Sequence, residues 1–352
     1  MKSIWSRIAS VGVPVLIMVL VVACTPAAAP PPAPGSTTPT PEVFSLKLQA
    51  LTAPGEMWRT EMYEEMIEEM SGGRIQIESF SSGEFVPMAQ AHEALVAGAL
   101  DIAITSGAYY SDWLPLGAVE SGLPFGTTVP GVDVYIPFWE MGLLDLCREA
   151  YAQKGIYFLA PIDSGPYALI ATEPTRNLSD LRKLRIRATS VTAKALDSVG
   201  VSTVYLPPEE CYTGLATGTI DGIILGAAAL YRDNKIYEVA KYYVQPPVMS
   251  SFICNILINL ELWESLPPDL QSIFQIASYQ FNQYLCYSYI FDEYEALEEM
   301  GRQGLKIVNL DEETVAELTQ AAVPLWDELG TDPMAARGVE IWKEWFKLQG
   351  KM

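Results

Sequence analysis

"LSDLRKLRIRATSVTAKALDSVGVSTVYLPPEECYTGLATGTIDG" (residues 178–222) contains a complete strand–helix–strand unit. "KLRIRA" alternates, with Leu184, Ile186 and Ala188 toward one face and Lys183, Arg185 and Arg187 toward the other. "TAKALDSVG" predicts a helix ended by glycine, and "VSTVYLP" a second strand. Two strands joined through a helix lie parallel, because the crossover returns the chain to the same end of the sheet. The expected fold is therefore α/β with mainly parallel sheets.

The tail of this stretch has an echo upstream. "ALVAGALDIAI" (94–104) aligns without gaps to "GLATGTIDGII" (214–224). In both, a helix ends at glycine, an apolar–Asp pair opens a strand and an apolar run completes it. Two such units about 120 residues apart predict two similar α/β lobes. "FSLKLQA" and "RIQIESF" add strands to the first lobe, with "GEMWRTEMYEEMIEEMSGG" as an amphipathic helix between them. Met62, Met66 and Met70 recur at four-residue spacing along that helix and are expected to face the core. A helix from near Pro268 to the stop at Gly304 would be about 50 Å long, longer than one lobe is wide, so it should bridge both. A short strand and acidic, Trp-containing helices follow, their Trp residues looking exposed.

The chain has 352 residues and a formal net charge of −21, yet residues 176–190 hold five of its 22 Lys and Arg. This acidity argues against a nucleic-acid partner, since phosphate-neutralising proteins carry basic stripes. At the N-terminus, Lys2 and Arg7 precede an apolar run from Ile8 to Val22 and then "VVAC". This is the pattern of a secretory signal, too short and wrongly flanked for a membrane span. Ala23–Cys24 resembles a bacterial lipobox, in which the Cys24 thiol is acylated and anchors the protein in the bilayer. "TPAAAPPPAPGSTTPTP" behind it reads as an extended tether. Cys147, Cys211, Cys254 and Cys286 form no CxxC pair; one disulfide is open to them, but buried free thiols are the favoured reading.

Catalysis lacks its parts. His92, the one histidine, stands in a helical run and is expected at the surface, and no triad, HExxH site or Cys–His pair can be assembled from it. There is no P-loop and no GxGxxG opening a helix after a strand. Arg187, by contrast, lies nearest the carboxyl end of its strand, where ligands bind in parallel α/β sheets. A guanidinium there grips a carboxylate with two parallel hydrogen bonds, which lysine cannot do.

With these residues in view, 178–222 resembles the signature of the solute-binding proteins of tripartite ATP-independent periplasmic (TRAP) transporters, the DctP-like family. "GR" (73–74), "LVAGALDIAI", "LPF" (123–125), "KGIYFL" (154–159), "AKYY" (240–243) and "LPPDLQ" support it. The resemblance implies a two-lobed periplasmic-binding-protein fold closing on an organic acid, with Arg187 on its carboxylate and a small and a large integral membrane protein as partners. It also shows departures. Tyr167 stands where many relatives carry a second arginine. Ile223, Ile224 and Leu225 follow "DG", where many carry a pair that contacts ligand or a metal, so neither a metal nor a cofactor is expected. Other lining candidates come from strand ends and loops: Trp58, Glu84, Phe85, Tyr109, Tyr110 and Tyr205, with Tyr167 and Ile224 added by position.

The expected organisation is a signal peptide (1–23), tether (24–42), lobe 1 (43–165), lobe 2 (166–250), a return to lobe 1 (251–266), the bridging helix (267–303) and a C-terminal strand and helices (304–352). The expected function is non-enzymatic. An extracytoplasmic lipoprotein, on the outer face of the cytoplasmic membrane or in the periplasm, captures an organic acid, favoured as a monocarboxylate, for TRAP membrane subunits. The rivals are a receptor for an ATP-driven importer, a secreted enzyme and a structural surface lipoprotein.

Overall fold

The computed structural model describes residues 42–352 apart from Ala53, Thr127 and Thr128. The expected signal peptide, Cys24 and the tether up to Pro41 lie outside the described residues. Eleven strands are described: β1 (Phe44–Ala50), β2 (Ile75–Phe80), β3 (Ile102–Thr105), β4 (Ile156–Asp163), β5 (Tyr167–Ala171), β6 (Arg185–Arg187), β7 (Ser202–Val204), β8 (Gly222–Gly226), β9 (Tyr242–Met249), β10 (Ile253–Asn259) and β11 (Lys306–Asn309). They form two sheets, ordered β2-β1-β3-β10-β4 and β11-β9-β5-β8-β6-β7.

Each sheet is parallel except for one reversed strand. β10 runs antiparallel to β3 and β4, and β5 antiparallel to β8 and β9. The cause is local. The chain passes from β4 in the first sheet to β5 in the second through residues 164–166, and from β9 back to β10 through 250–252. Linkers this short cannot turn the chain back, so each carries it straight on from one sheet into the other, where the arriving strand runs against its neighbours.

The internal echo is structural. The helix Ala91–Val96 ends at Gly98 (φ 68°) before β3, and the helix Cys211–Ala216 ends at Gly218 (φ 69°) before β8. Left-handed φ at these two turns is cheap only for glycine. Asp101 then exchanges two hydrogen bonds with Lys47 of β1, and Asp221 does the same with Arg185 of β6. In each lobe this aspartate registers the strand it opens against a neighbouring parallel strand.

The long helix spans Pro268–Arg302 and bridges as expected. Leu270, Phe274, Ala277, Phe281 and Leu285 pack into the first lobe's core, while Ala296 and Met300 pack into the second's. Tyr63 stacks on Phe281 at 4.8 Å and its hydroxyl lies 2.7 Å from that of Ser278. Three side-chain placements differ from expectation. On the helix Trp58–Ser71, Tyr63 and Ile67 are the buried face; Met62 and Met66 are half-buried on its flank and Met70 is exposed. In the helices Glu312–Leu329 and Pro333–Leu348, Trp326 and Trp342 are fully buried. Their indole N–H groups donate to the carbonyls of Pro124 and Val119 at 3.1 and 3.0 Å, which satisfies the only polar atom an indole buries. His92 is buried between the rings of Tyr110 and Trp113, at 4.9 and 4.7 Å. All four described cysteines are buried free thiols.

A buried acid sits in the first lobe. Glu120 accepts from the Tyr151 hydroxyl and the Asn255 amide at 2.6 Å each, with the Cys147 thiol 3.6 Å away. Burial pushes its carboxyl up to about 8 despite these donors. A carboxyl raised in the folded state stabilises the fold fully below its unfolded value and loses that contribution as pH rises through the folded one. Stability is therefore expected to fall between about pH 4.5 and 8. Glu120→Gln, which keeps the acceptor oxygen and cannot ionise, should flatten that decline. Melting temperatures across this range check it; an unchanged slope would count against the assignment. Asp163 and Glu293, also raised by burial, keep some slope of the same sign in the variant.

Candidate functional site

The two crossing segments are held together where the lobes meet. The Ser164 N–H donates to the Phe252 carbonyl at 2.9 Å, and the Phe252 N–H to the Gly165 carbonyl at 2.8 Å. Asp163 is buried and accepts from the N–H groups of Gly165 and Gly131 and from the Ser251 hydroxyl, at 2.8, 3.0 and 2.8 Å. The neighbouring Ser250 hydroxyl donates to Asp133, which also accepts from the Trp345 indole. Gly165 has φ 84°, and a Cβ there would press on the Tyr289 ring at 3.3 Å. Both the backbone and the space at this crossing require glycine.

Arg187 ends β6, which lies between β7 and β8, both parallel to it. The residue is 5% exposed. Nε donates to the Leu206 carbonyl just beyond β7, and Nη1 to the Ile224 carbonyl of β8, each at 3.0 Å. The guanidinium carbon lies 5.8 Å from the centre of the Tyr205 ring. Nη2 has no hydrogen-bond partner among the described residues. Two carbonyls thus fix the plane of the group and leave donors for something else.

The other expected residues divide. Tyr205 is 66% exposed and Tyr109 49% exposed, so both rings are available beside the site. Tyr167 opens β5 and stacks obliquely on Phe252 at 5.0 Å. Burial raises its phenol; the nearby Cys254 and Tyr109 act in the same direction and the Arg187 charge opposes them. Trp58 is exposed and lies under the Arg59 guanidinium, 4.4 Å from its ring centre.

Two expectations, Tyr110 and Ile224, are corrected, and Glu84 and Phe85 are placed in their own surroundings. Tyr110 is 4% exposed and belongs to the first lobe's core, its hydroxyl 3.3 Å from that of Tyr151. Adjacent residues of the tight turn Gly107–Tyr110 point apart, so Tyr109 and Tyr110 cannot share one wall. Ile224 packs its side chain among Leu169, Ile186 and Val244, and only its carbonyl reaches Arg187. Glu84 is exposed and turned to its own loop, accepting from the Ser81 N–H and hydroxyl at 2.9 and 2.8 Å, which lowers its carboxyl below the usual range. Phe85 is half-buried against Phe80 at 5.1 Å, with the Lys47 ammonium 5.4 Å from its ring.

Around the crossing segments lie residues that sequence reasoning passed over: Arg59, Phe252, Cys254 and Tyr289. Arg59 could have been found. It stands four and eight residues before Tyr63 and Ile67, on the same buried helix face. Among the described residues no group of three His, Cys, Asp or Glu side chains comes close enough to hold a metal ion. After Asp221 and Gly222 the apolar side chains of Ile223, Ile224 and Leu225 supply no oxygen donor, so these positions do not fit one.

Two α/β lobes joined by crossing strands and spanned by one helix form a two-lobed periplasmic-binding-protein fold. Residues 55–332 match the family described as bacterial extracellular solute-binding protein, family 7, and the chain belongs to it. It is a solute-binding protein of the TRAP type. A monocarboxylate 2-oxoacid-binding periplasmic protein of Nostoc sp. is 27% identical over 291 residues, covering 80% of this chain and 78% of that protein. An apo, open TRAP periplasmic solute-binding protein from Rhodobacter sphaeroides superposes with a TM-score of 0.78 at 21% identity, covering 88% of this chain and 99% of that one. One from Pseudoalteromonas atlantica with bound sodium and pyruvate gives 0.73 at 20%, covering 88% and 95%. No described helix is long and apolar enough to cross a membrane.

Proposed function

We propose that this chain is a lipid-anchored extracytoplasmic receptor that captures a monocarboxylate and delivers it to TRAP membrane subunits. The observation that carries this reading is Arg187. Arg187 is nearly buried, its guanidinium is held by two carbonyls, and its Nη2 has no hydrogen-bond partner among the described residues beside exposed Tyr205. A desolvated arginine of fixed orientation suits a carboxylate, because charge-assisted hydrogen bonds strengthen once water is excluded. The name of the Nostoc relative supports the ligand class. Tyr109, Tyr167, Tyr205 and Phe252 supply the mostly apolar wall that such sites use around a few polar anchors.

Binding to the native state alone raises stability by mass action. A panel of organic acids should therefore raise the melting temperature in a concentration-dependent way, with the acid recovered unchanged. Stabilisation by none of the acids, or conversion of one, would reject this reading. The anchor is tested by mass spectrometry of the mature protein: a diacylated N-terminal Cys24 is expected, and an unmodified N-terminus elsewhere would remove the lipid from the proposal.

A further inference from the structure

Arg59 is 8% exposed, and two of its nitrogens are engaged. Nη1 lies 3.3 Å from Glu56 and Nη2 donates to Asp292 of the long helix at 2.6 Å. Its guanidinium is stacked 4.4 Å from the Trp58 ring centre and 5.1 Å from that of Tyr289. Nε, however, is buried with no hydrogen-bond partner among the described residues. A donor withheld from water and left unpaired is costly, and native structures contain few. Beside it lies a cavity of about 40 Å³, whose polar lining is Thr52, Arg59, Thr60, Ser164 and Cys254, with Tyr289 as one wall. A water needs about 10–15 Å³ of such space, so this cavity takes two or three small polar atoms.

The cavity belongs to the neighbourhood of the ligand site. Ser164 is in one crossing segment and Cys254 follows the other. Tyr167 lies near Arg187, Cys254 and Tyr289, and the Tyr289 ring stacks against the Arg59 guanidinium at 5.1 Å. The two arginines are linked through a pair of tyrosines.

We infer that Arg59 Nε is a second ligand-contacting donor, taking one neutral oxygen acceptor at the end of the bound acid remote from its carboxylate. The inference rests on Arg187 holding the carboxylate. A neutral acceptor is favoured over a second carboxylate because Glu56 and Asp292 already balance the Arg59 charge. Another anion there would face two carboxylates. The ligand class narrows to monocarboxylic acids with a distal hydroxyl or carbonyl oxygen.

The test is calorimetric titration of the full chain with two matched pairs: hexanoate against 6-hydroxyhexanoate, and pentanoate against 4-oxopentanoate. The wild type should prefer the oxygenated acid about tenfold in at least one pair, the usual worth of one well-placed hydrogen bond. Arg59→Lys keeps a cation for Asp292 but has no Nε donor, and should bring that preference to within about twofold. If Arg59→Lys melts well below the wild type, Thr60→Leu, which fills the cavity and leaves Arg59 in place, should remove the preference equally. Equal wild-type affinities within both pairs, with binding still lost in Arg187→Lys, would overturn this inference alone and leave the cavity to water. A preference surviving in both variants would also overturn it. A wild type that binds no carboxylate would overturn the reading on which it rests.

Discussion

Arg187→Lys is expected to weaken binding of the carboxylate ligand about a hundredfold while the protein folds normally. The native guanidinium does two tasks at once. It donates to the Leu206 and Ile224 carbonyls, and from that fixed plane it presents Nη2 beside Tyr205. A lysine ammonium has three donors on one atom and no plane. If it serves the two carbonyls, it sits back from the ligand; if it reaches the ligand, both carbonyls lose their donor. A charge-assisted hydrogen bond is worth about 1.5–3 kcal/mol, and two orders of magnitude in affinity is about 2.7 kcal/mol. The fold should survive because Ile186 and Leu184, not Arg187, fill the core beneath β6. Calorimetry on the variant, with melting temperature as the control for folding, makes the measurement. Affinity within threefold of wild type would remove Arg187 from the role.

How far this site was legible depends on how local each signal is. The place of Arg187 at the end of a strand was legible because a strand's alternation and its carboxyl end are both written in a few consecutive residues. The two Gly–Asp turns at 98–101 and 218–221 were legible for the same reason, and the same backbone bonds follow from them. The reversed strands were not. β5 and β10 look like any buried apolar strand, and their direction follows from 164–166 and 250–252 being too short to turn back. Tyr109 and Tyr110 show a finer limit. Both follow β3, yet one meets solvent and the other closes a buried network with Glu120 and Asn255. Nothing in two adjacent tyrosines says which will turn inward. Arg59 was hidden by a competing pattern. The four-residue Met spacing at 62, 66 and 70 drew attention to the flank, one residue out of step with the true buried face at 59, 63 and 67.

The corrected site sharpens what kind of acid it should accept, and a preference of at least about a hundredfold for monocarboxylates over dicarboxylates of similar length is expected. Among the described residues Arg187 is the one guanidinium of the candidate site with no carboxylate bonded to it; Arg59 is paired to Glu56 and Asp292. Tyr167 offers a phenol where a second positive charge would help a dianion, and burial raises its pKa and keeps that phenol neutral. Ile223, Ile224 and Leu225 bring no side-chain oxygen that a bridging cation could use. The second carboxylate of a succinate-like ligand would therefore enter a partly desolvated cleft without a counter-charge, which costs several kcal/mol. Its alternative, staying in water, would hold the lobes apart. A monocarboxylate with an alkyl or aromatic body meets neither difficulty, since Tyr109, Tyr205 and Phe252 can cover it. Parallel titrations with pentanoate, phenylacetate, succinate and glutarate, each with and without a chelator, measure the preference. The monocarboxylates should bind tighter and the chelator should change nothing. Tighter binding of either dicarboxylate would mean that a cation reaches the cleft from a side chain placed elsewhere here. Loss of binding with the chelator would mean that a metal is held by backbone carbonyls, which alone could coordinate it where β8 is lined with apolar side chains.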